Sequence, residues 1–241
     1  MGWTGSPEDG VGAASQSLSR DLTMSSEFEL LQQFVPELQT LRLPGSERRL
    51  ALDGTETRLS EGRRQHVQGV GALRLEVIAR FSWPAGSGLP TQRFGFSFLG
   101  GAGNVSIDCT NSTATGEAPG GCMAGIVGSV NNTATKLTWM PVLPIATNEI
   151  RIHSIVDHSI VETIVNNRTA MITNSINAKS ATETAVALFG AGVHGHLTTY
   201  ELAAANNLNS SDVVAHKGDD EADGQWRKIY SGWQTTGQIV N

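Results

Sequence analysis

The chain is short of charge. Only 17% of its 241 residues are Asp, Glu, Lys or Arg, against ~25% in an average soluble domain. Basic residues are the scarcer kind: 17 Lys and Arg stand against 23 Asp and Glu, a formal net charge of −6. That argues against nucleic-acid or anionic-membrane partners, which need a basic surface. Long apolar runs are missing too, and none approaches the ~20 residues of a membrane span. The opening Met1-Gly2-Trp3-Thr4-Gly5-Ser6-Pro7 has neither a basic nor an apolar leader region, so no signal peptide is read there. Cysteine is nearly absent. Cys109 and Cys122 are too few for a disulfide framework or a structural zinc site. In an oxidising compartment they would close one short loop, worth ~3 kcal/mol in the chain-entropy view; two unpaired thiols fit equally well. No GxGxxG opens a helix, and GxxxxGK[ST] and HExxH do not occur. The expectation is therefore no cofactor and no metal.

What the chain has in plenty is glycine, 27 of 241 residues, with many Ser, Thr and Asn. That composition points to strands and tight turns. Leu18, Leu22 and Met24 alternate with polar residues, reading as one strand that must pair elsewhere. Residues 27–43 read as a linker that packs down, with a helical turn opened by Pro36, whose missing N–H costs nothing there. Residues 44–66 read as loops and a weak strand. Leu73, Leu75, Val77, Ala79 and Phe81 form one face of a strand; Arg74, Glu76 and Arg80 form the other, with Ile78 out of pattern. Phe94, Phe96 and Phe98, then Val105 and Ile107, repeat the alternation. Residues 110–135 read as a long loop holding Cys122. Two strands follow, around Ile150–Val156 and Ile160–Val165. Asn166-Asn167 suits a tight turn because asparagine tolerates positive φ. Arg168–Thr173, Ala185–Phe189 and His196–Leu202 complete the series. Short strands with frequent turns predict an all-β, two-sheet antiparallel sandwich.

Few residues look chemical. Asp157-His158-Ser159 carries the letters of a triad, but neighbours on an extended chain point to opposite faces, whereas a triad must converge. Asp157 and Glu162 place two carboxylates near one turn, as glycosidases require, yet no pocket follows from that. His194 and His196 could offer two metal ligands, with no third nearby. Trp83, Trp139 and Trp233 are the candidates for a sugar-stacking platform. Asn104, Asn111, Asn131, Asn167 and Asn209 each open an N-x-[ST] sequon. The acidic run Asp219-Asp220-Glu221-Ala222-Asp223 reads as a solvated tail.

The segment from Ile150 to Arg168 resembles a known signature. Asp157, Ser159, Val161, Glu162 and Asn166 match, in order and spacing, the Asp-x-Ser-x-Val-Glu strand and Asn turn of the C-terminal β-sandwich of glycoside hydrolase family 32, the invertases and fructan hydrolases. Gly2-Trp3, Gln16-Ser17-Leu18, Arg20, Leu22-Thr23, Leu30-Leu31-Gln32, Pro36-Glu37-Leu38 and Leu41-Arg42 resemble that family's junction. There the last strand of a five-bladed catalytic β-propeller runs into the linker. Leu197–Leu202 is similar to the closing strand of the sandwich. The resemblance runs over residues 2–203, thinly between 44 and 145. Ile164 stands where an aromatic is usual, and Asn174 to Ala178 replace an Arg and a Tyr-Pro.

The resemblance implies a remnant of the last propeller blade at residues 1–24, a linker at 25–42, the sandwich at 43–203 and a polar tail at 204–241. The parent reaction would be retaining hydrolysis of β-fructosides such as sucrose, outside the cell, in the cell wall or in the vacuole. No catalytic residue carries over. The family's Trp-Met-Asn-Asp-Pro-Asn motif is missing, Arg20-Asp21-Leu22 lacks the Pro of Arg-Asp-Pro, and Ile107-Asp108-Cys109 has Asp where Glu-Cys is needed. The expected role is structural: a partner for a catalytic propeller, with homo-oligomerisation through the sandwich as a further option. The alternative is a free-standing, oligosaccharide-binding, lectin-like sandwich.

Overall fold

The computed structural model describes residues 3–4, 15–26, 28–50, 57–58, 64–109, 121–130, 133–142, 148–173, 176 and 184–203. The strands in chain order are β1 (Trp3–Thr4), β2 (Ser15–Gln16), β3 (Arg20–Met24), β4 (Leu30–Phe34), β5 (Arg48–Arg49), β6 (Thr57–Arg58), β7 (Arg64–His66), β8 (Arg74–Ser82), β9 (Phe94–Phe98), β10 (Gly103–Asp108), β11 (Cys122–Val130), β12 (Thr133–Val142), β13 (Glu149–Asp157), β14 (Ile160–Val165), β15 (Thr169–Thr173), β16 (Ala187–Phe189) and β17 (His194–Glu201). A 3-10 helix, Pro36–Leu41, separates β4 from β5, with Pro36 at its start.

Two antiparallel sheets make the sandwich. One runs β12-β11-β10-β9-β16-β7; the other runs β15-β14-β13-β8-β17-β5, with β6 also on β17. Their inner faces meet through the alternation visible in the sequence. On β8, Leu75, Val77, Ala79 and Phe81 are all at most 1% exposed, while Ile78 is 37% exposed. Phe94, Phe96 and Phe98 oppose them, with Val105 and Ile107 from β10 and Ile150, Ile152 and Val156 from β13. Phe81 and Phe94 pack as tilted rings, centroids 5.1 Å apart. One polar pair is buried on the inner face. The hydroxyls of Ser154 and Thr163, cross-strand partners on β13 and β14, lie 2.8 Å apart and satisfy each other, as burial of polar atoms demands.

Two expectations are corrected. Cys122–Val130 and the start of β12 are strands, not the loop read over 110–135. The small residues Ala124, Gly125 and Gly128 hid the period-two pattern. Ala124 and Ile126 nevertheless enter the core, fully buried. Leu30–Phe34, read within a linker, is a strand paired antiparallel with β3, Arg20 opposite Phe34 and Met24 opposite Leu30.

Candidate functional site

Distinctive chemistry gathers where residues 18–43 cross the outer face of the second sheet. Even-numbered residues of β8 point to that face, and so do Ile155 on β13 and Ile164 on β14. Such positions should face water. Instead Phe34, Ile155, Ile164 and Leu202 form a second buried cluster, joined by Leu18, Leu38, Leu41 and Ala170. Covering both faces of β14 explains why its sequence fails to alternate.

Two carboxylates lie under the same cover. Glu76 is 2% exposed and so is Glu162; both flank Ile155 on neighbouring strands. Each is met by an arginine from the covering segment. Arg42 donates to Glu76 through both Nε (2.6 Å) and Nη2 (2.9 Å), and its guanidinium lies 4.0 Å over the Tyr200 ring. His153 Nε2 is 2.8 Å from Glu76 Oε1, its ring held edge-on by Phe34. Glu162 accepts from Arg20 Nη2 (2.9 Å) and from the backbone N–H of Leu18 (2.6 Å). The crossing segment then joins the sheet edge: Arg42 bridges Leu202, and Leu43 N–H donates to the Glu201 carbonyl.

Burial alone would push the Glu76 carboxyl up. The hydrogen bonds from Arg42 and His153, with their charges, outweigh it and hold the group at about 2, against 4.5 ordinarily. The hydrogen bond to Glu76 raises Arg42; burial, with nearby Glu47, raises Tyr200. A folded-state pKa below the unfolded one means stability present above about pH 4.5 and lost as pH falls toward 2. The shift corresponds to ~3 kcal/mol. Unfolding free energy measured across that window should fall more steeply for the native chain than for E76Q. Equal slopes would remove Glu76 from the account.

The signature residues occupy this junction and the turn beside it. Asp157 ends β13, exposed, paired with Arg74 (3.1 Å) and His158 (2.7 Å). Ser159 lies in the turn, where its carbonyl accepts from Ile176 N–H. Val161 is fully buried in the main core; Glu162, the next residue, points to the opposite face and pins Arg20. Asn166 Oδ1 accepts from Arg151 N–H (2.8 Å). His158 has φ 54° and Asn166 φ 50°. Asp157 and Glu162 both line a cavity of ≈ 180 Å³ walled by Leu18, Leu38, Leu41, Ile155, Ile160 and Leu202. Each of the two carboxylates is already engaged by cations.

Other candidates disperse. His194 and His196 share a face of β17, opposite Ser82 and Arg80; among the described residues no three His, Cys, Asp or Glu side chains could hold a metal. Trp83 is 6% exposed, against Phe94. With Ser87, Thr91 and Gln92 it lines a cleft of ≈ 310 Å³, offering little ring surface for stacking. The Trp139 side chain, Trp233, Asn111, Asn131, Asn209 and the acidic run 219–223 lie outside the described residues. Asp108 is 3% exposed and receives Arg93 Nε at 2.7 Å. Cys109 and Cys122 form a disulfide. Asp108 pairs with Met123, so the two cysteines take the next rung of the β10–β11 ladder. The sequence reading missed Glu76 and Arg42. The one signal available was an acid among basic residues on an otherwise polar strand face.

No curated protein matches the chain. Among solved structures, fructan 1-exohydrolase IIa from Cichorium intybus superposes with a TM-score of 0.58 at 15% identity, over 78% of this chain and 41% of that one. Sucrose-6-phosphate hydrolase from Lactobacillus gasseri gives 0.55 at 12% identity, over 83% and 38%. Aspergillus kawachii β-fructofuranosidase gives 0.50 at 16%, over 75% and 33%. The chain thus spans well under half the length of these proteins, and at such identities the likeness is one of fold. The sequence model described as "Glycosyl hydrolases family 32 C terminal" matches residues 37–204, from the 3-10 helix through the last sandwich strand. With the match covering most of the chain, and the two stacked sheets beneath it, this protein belongs to glycoside hydrolase family 32 through its C-terminal domain.

Proposed function

We propose that the chain is the supporting part of an invertase-like glycoside hydrolase and hydrolyses nothing by itself. Residues 1–24 are a piece of the catalytic propeller's last blade, residues 25–42 the linker, and the sandwich from residue 43 to residue 203 the support. The parent reaction is retaining hydrolysis of β-fructosides through two carboxylates ~5–5.5 Å apart. The observation that carries this is the β3–β4 hairpin. Its sandwich end is pinned by Arg20 and Phe34, while Leu22, Met24 and Leu30 beyond them are 61%, 63% and 55% exposed, and Phe28 at the turn is 87% exposed. A contiguous apolar surface of this kind marks an interaction site. Arg20 Nε, at the root of the hairpin, is buried with no acceptor among the described residues, a costly state that a partner's carbonyl would relieve. The disulfide supports a secreted or vacuolar protein, since such bonds persist in oxidising compartments.

The chain alone, incubated with sucrose, should release fructose no faster than buffer. Fused behind a family 32 propeller in place of that enzyme's own sandwich, it should raise the propeller's unfolding temperature, with turnover still dependent on the propeller's carboxylates. Hydrolysis by the chain alone, or a fusion no more stable than the bare propeller, sinks the reading.

A further inference from the structure

Asn167 stands in the β14–β15 turn, within the sequon Asn167-Arg168-Thr169. Its φ of 56° is one asparagine adopts more readily than most residues. Other groups hold this turn. Asn166 Oδ1 takes the Arg151 N–H. The Asn167 carbonyl accepts from Gln32 N–H (2.7 Å), and the Arg168 carbonyl accepts from Gln32 Nε2 (2.6 Å). Arg168 pairs with Glu29 (2.6 Å), and Thr169 Oγ1 donates to the Pro141 carbonyl (2.8 Å). The Asn167 residue is exposed, and its carboxamide makes no hydrogen bond among the described residues. The carboxamide of Asn167 is thus free of structural duty and open to solvent.

Asn104 is placed differently. It sits inside β10, between Ser97 on β9 and Val127 on β11. Its Oδ1 is buried without a hydrogen-bond partner among the described residues. The residue as a whole is half-buried, and a sugar on that amide would have to leave from mid-strand, between two paired neighbours.

We propose that Asn167 carries an N-linked oligosaccharide and that Asn104 carries none. The Cys109–Cys122 disulfide is the independent observation, because such bonds persist in oxidising compartments, among them the lumen in which such transfer occurs. The donor is a lipid-linked oligosaccharyl diphosphate, acted on by the host's transferase. The Asn167 Nδ2–C1 bond forms, the C1–O bond to the diphosphate breaks, the diphosphate leaves with the bonding pair, and the amide gives up one proton. The attached sugar is bulky and solubilising. Because the turn is bonded to Gln32 of β4, it lies at the rim of the apolar hairpin. The inference does not depend on the proposed hydrolase role.

The test is the full chain secreted from a eukaryotic host behind a heterologous leader. The folded, disulfide-bonded product is deglycosylated by peptide N-glycosidase in heavy-oxygen water, and its peptides are read by mass spectrometry. Asn167 should return as labelled Asp and Asn104 as unlabelled Asn. N167G removes the acceptor while suiting the positive φ, and should lose one glycan's mobility shift with the disulfide intact. Unmodified Asn167 in the folded product, a labelled Asn104, or an unchanged shift in N167G each overturns the proposal.

Discussion

R42A is expected to lower the unfolding free energy by ~3–5 kcal/mol, the loss seen when one partner of a buried ion pair is removed. The lower end is favoured because the Arg42 side chain keeps 23% of its surface exposed, whereas Glu76 keeps 3%. The physical reason is desolvation. Glu76 is paid for by two guanidinium donors and a histidine; without the guanidinium, a buried carboxylate remains with His153 alone. Replacing both partners, R42M with E76M, should cost less than R42A by itself, since a well-packed apolar pair avoids the desolvation altogether. Urea denaturation of the three variants beside the parent reads this directly. R42A within about 1 kcal/mol of the parent would mean that apolar packing alone fastens the crossing segment to the sheet.

Loss of the Cys109–Cys122 bond should remove ~3 kcal/mol, as the entropy model gives for a loop of this size. The bond spans a sequence separation of 13. Both sulfurs are buried, Cys109 6% and Cys122 0% exposed, so C109A with C122A is the cleaner variant: serines would add unsatisfied hydroxyls. Its denaturation midpoint should match that of the parent unfolded and refolded under reductant. The β10–β11 ladder sets the register of the sheet edge that carries β12. A change below about 1 kcal/mol would show that this ladder closes the loop without help from the bond.

The inner faces of the sandwich were written plainly in the sequence. Leu75 to Phe81 and Phe94 to Phe98 alternate because one face of each strand meets the core and the other does not. The same rule misled at Glu76. Its period assigned it to water, correctly for a lone sheet, but the segment carrying Phe34 and Arg42 folds over that face and turns a surface acid into an anchor. At β11 the pattern was faint because glycine and alanine bury little, so a strand passed for a loop.

Length, low charge, strand alternation and the Asp157 to Asn166 signature were enough to determine a two-sheet sandwich and its family, since those are local facts about which side chains prefer the interior. Only the tertiary structure decided where residues 18–43 lie, that Arg20 and Arg42 seek Glu162 and Glu76, that Cys109 faces Cys122, and that Asn167 is exposed while Asn104 is half-buried. These are contacts between residues as far apart in the chain as Arg42 and Leu202. No local periodicity encodes them, because a second layer of chain changes what counts as outside.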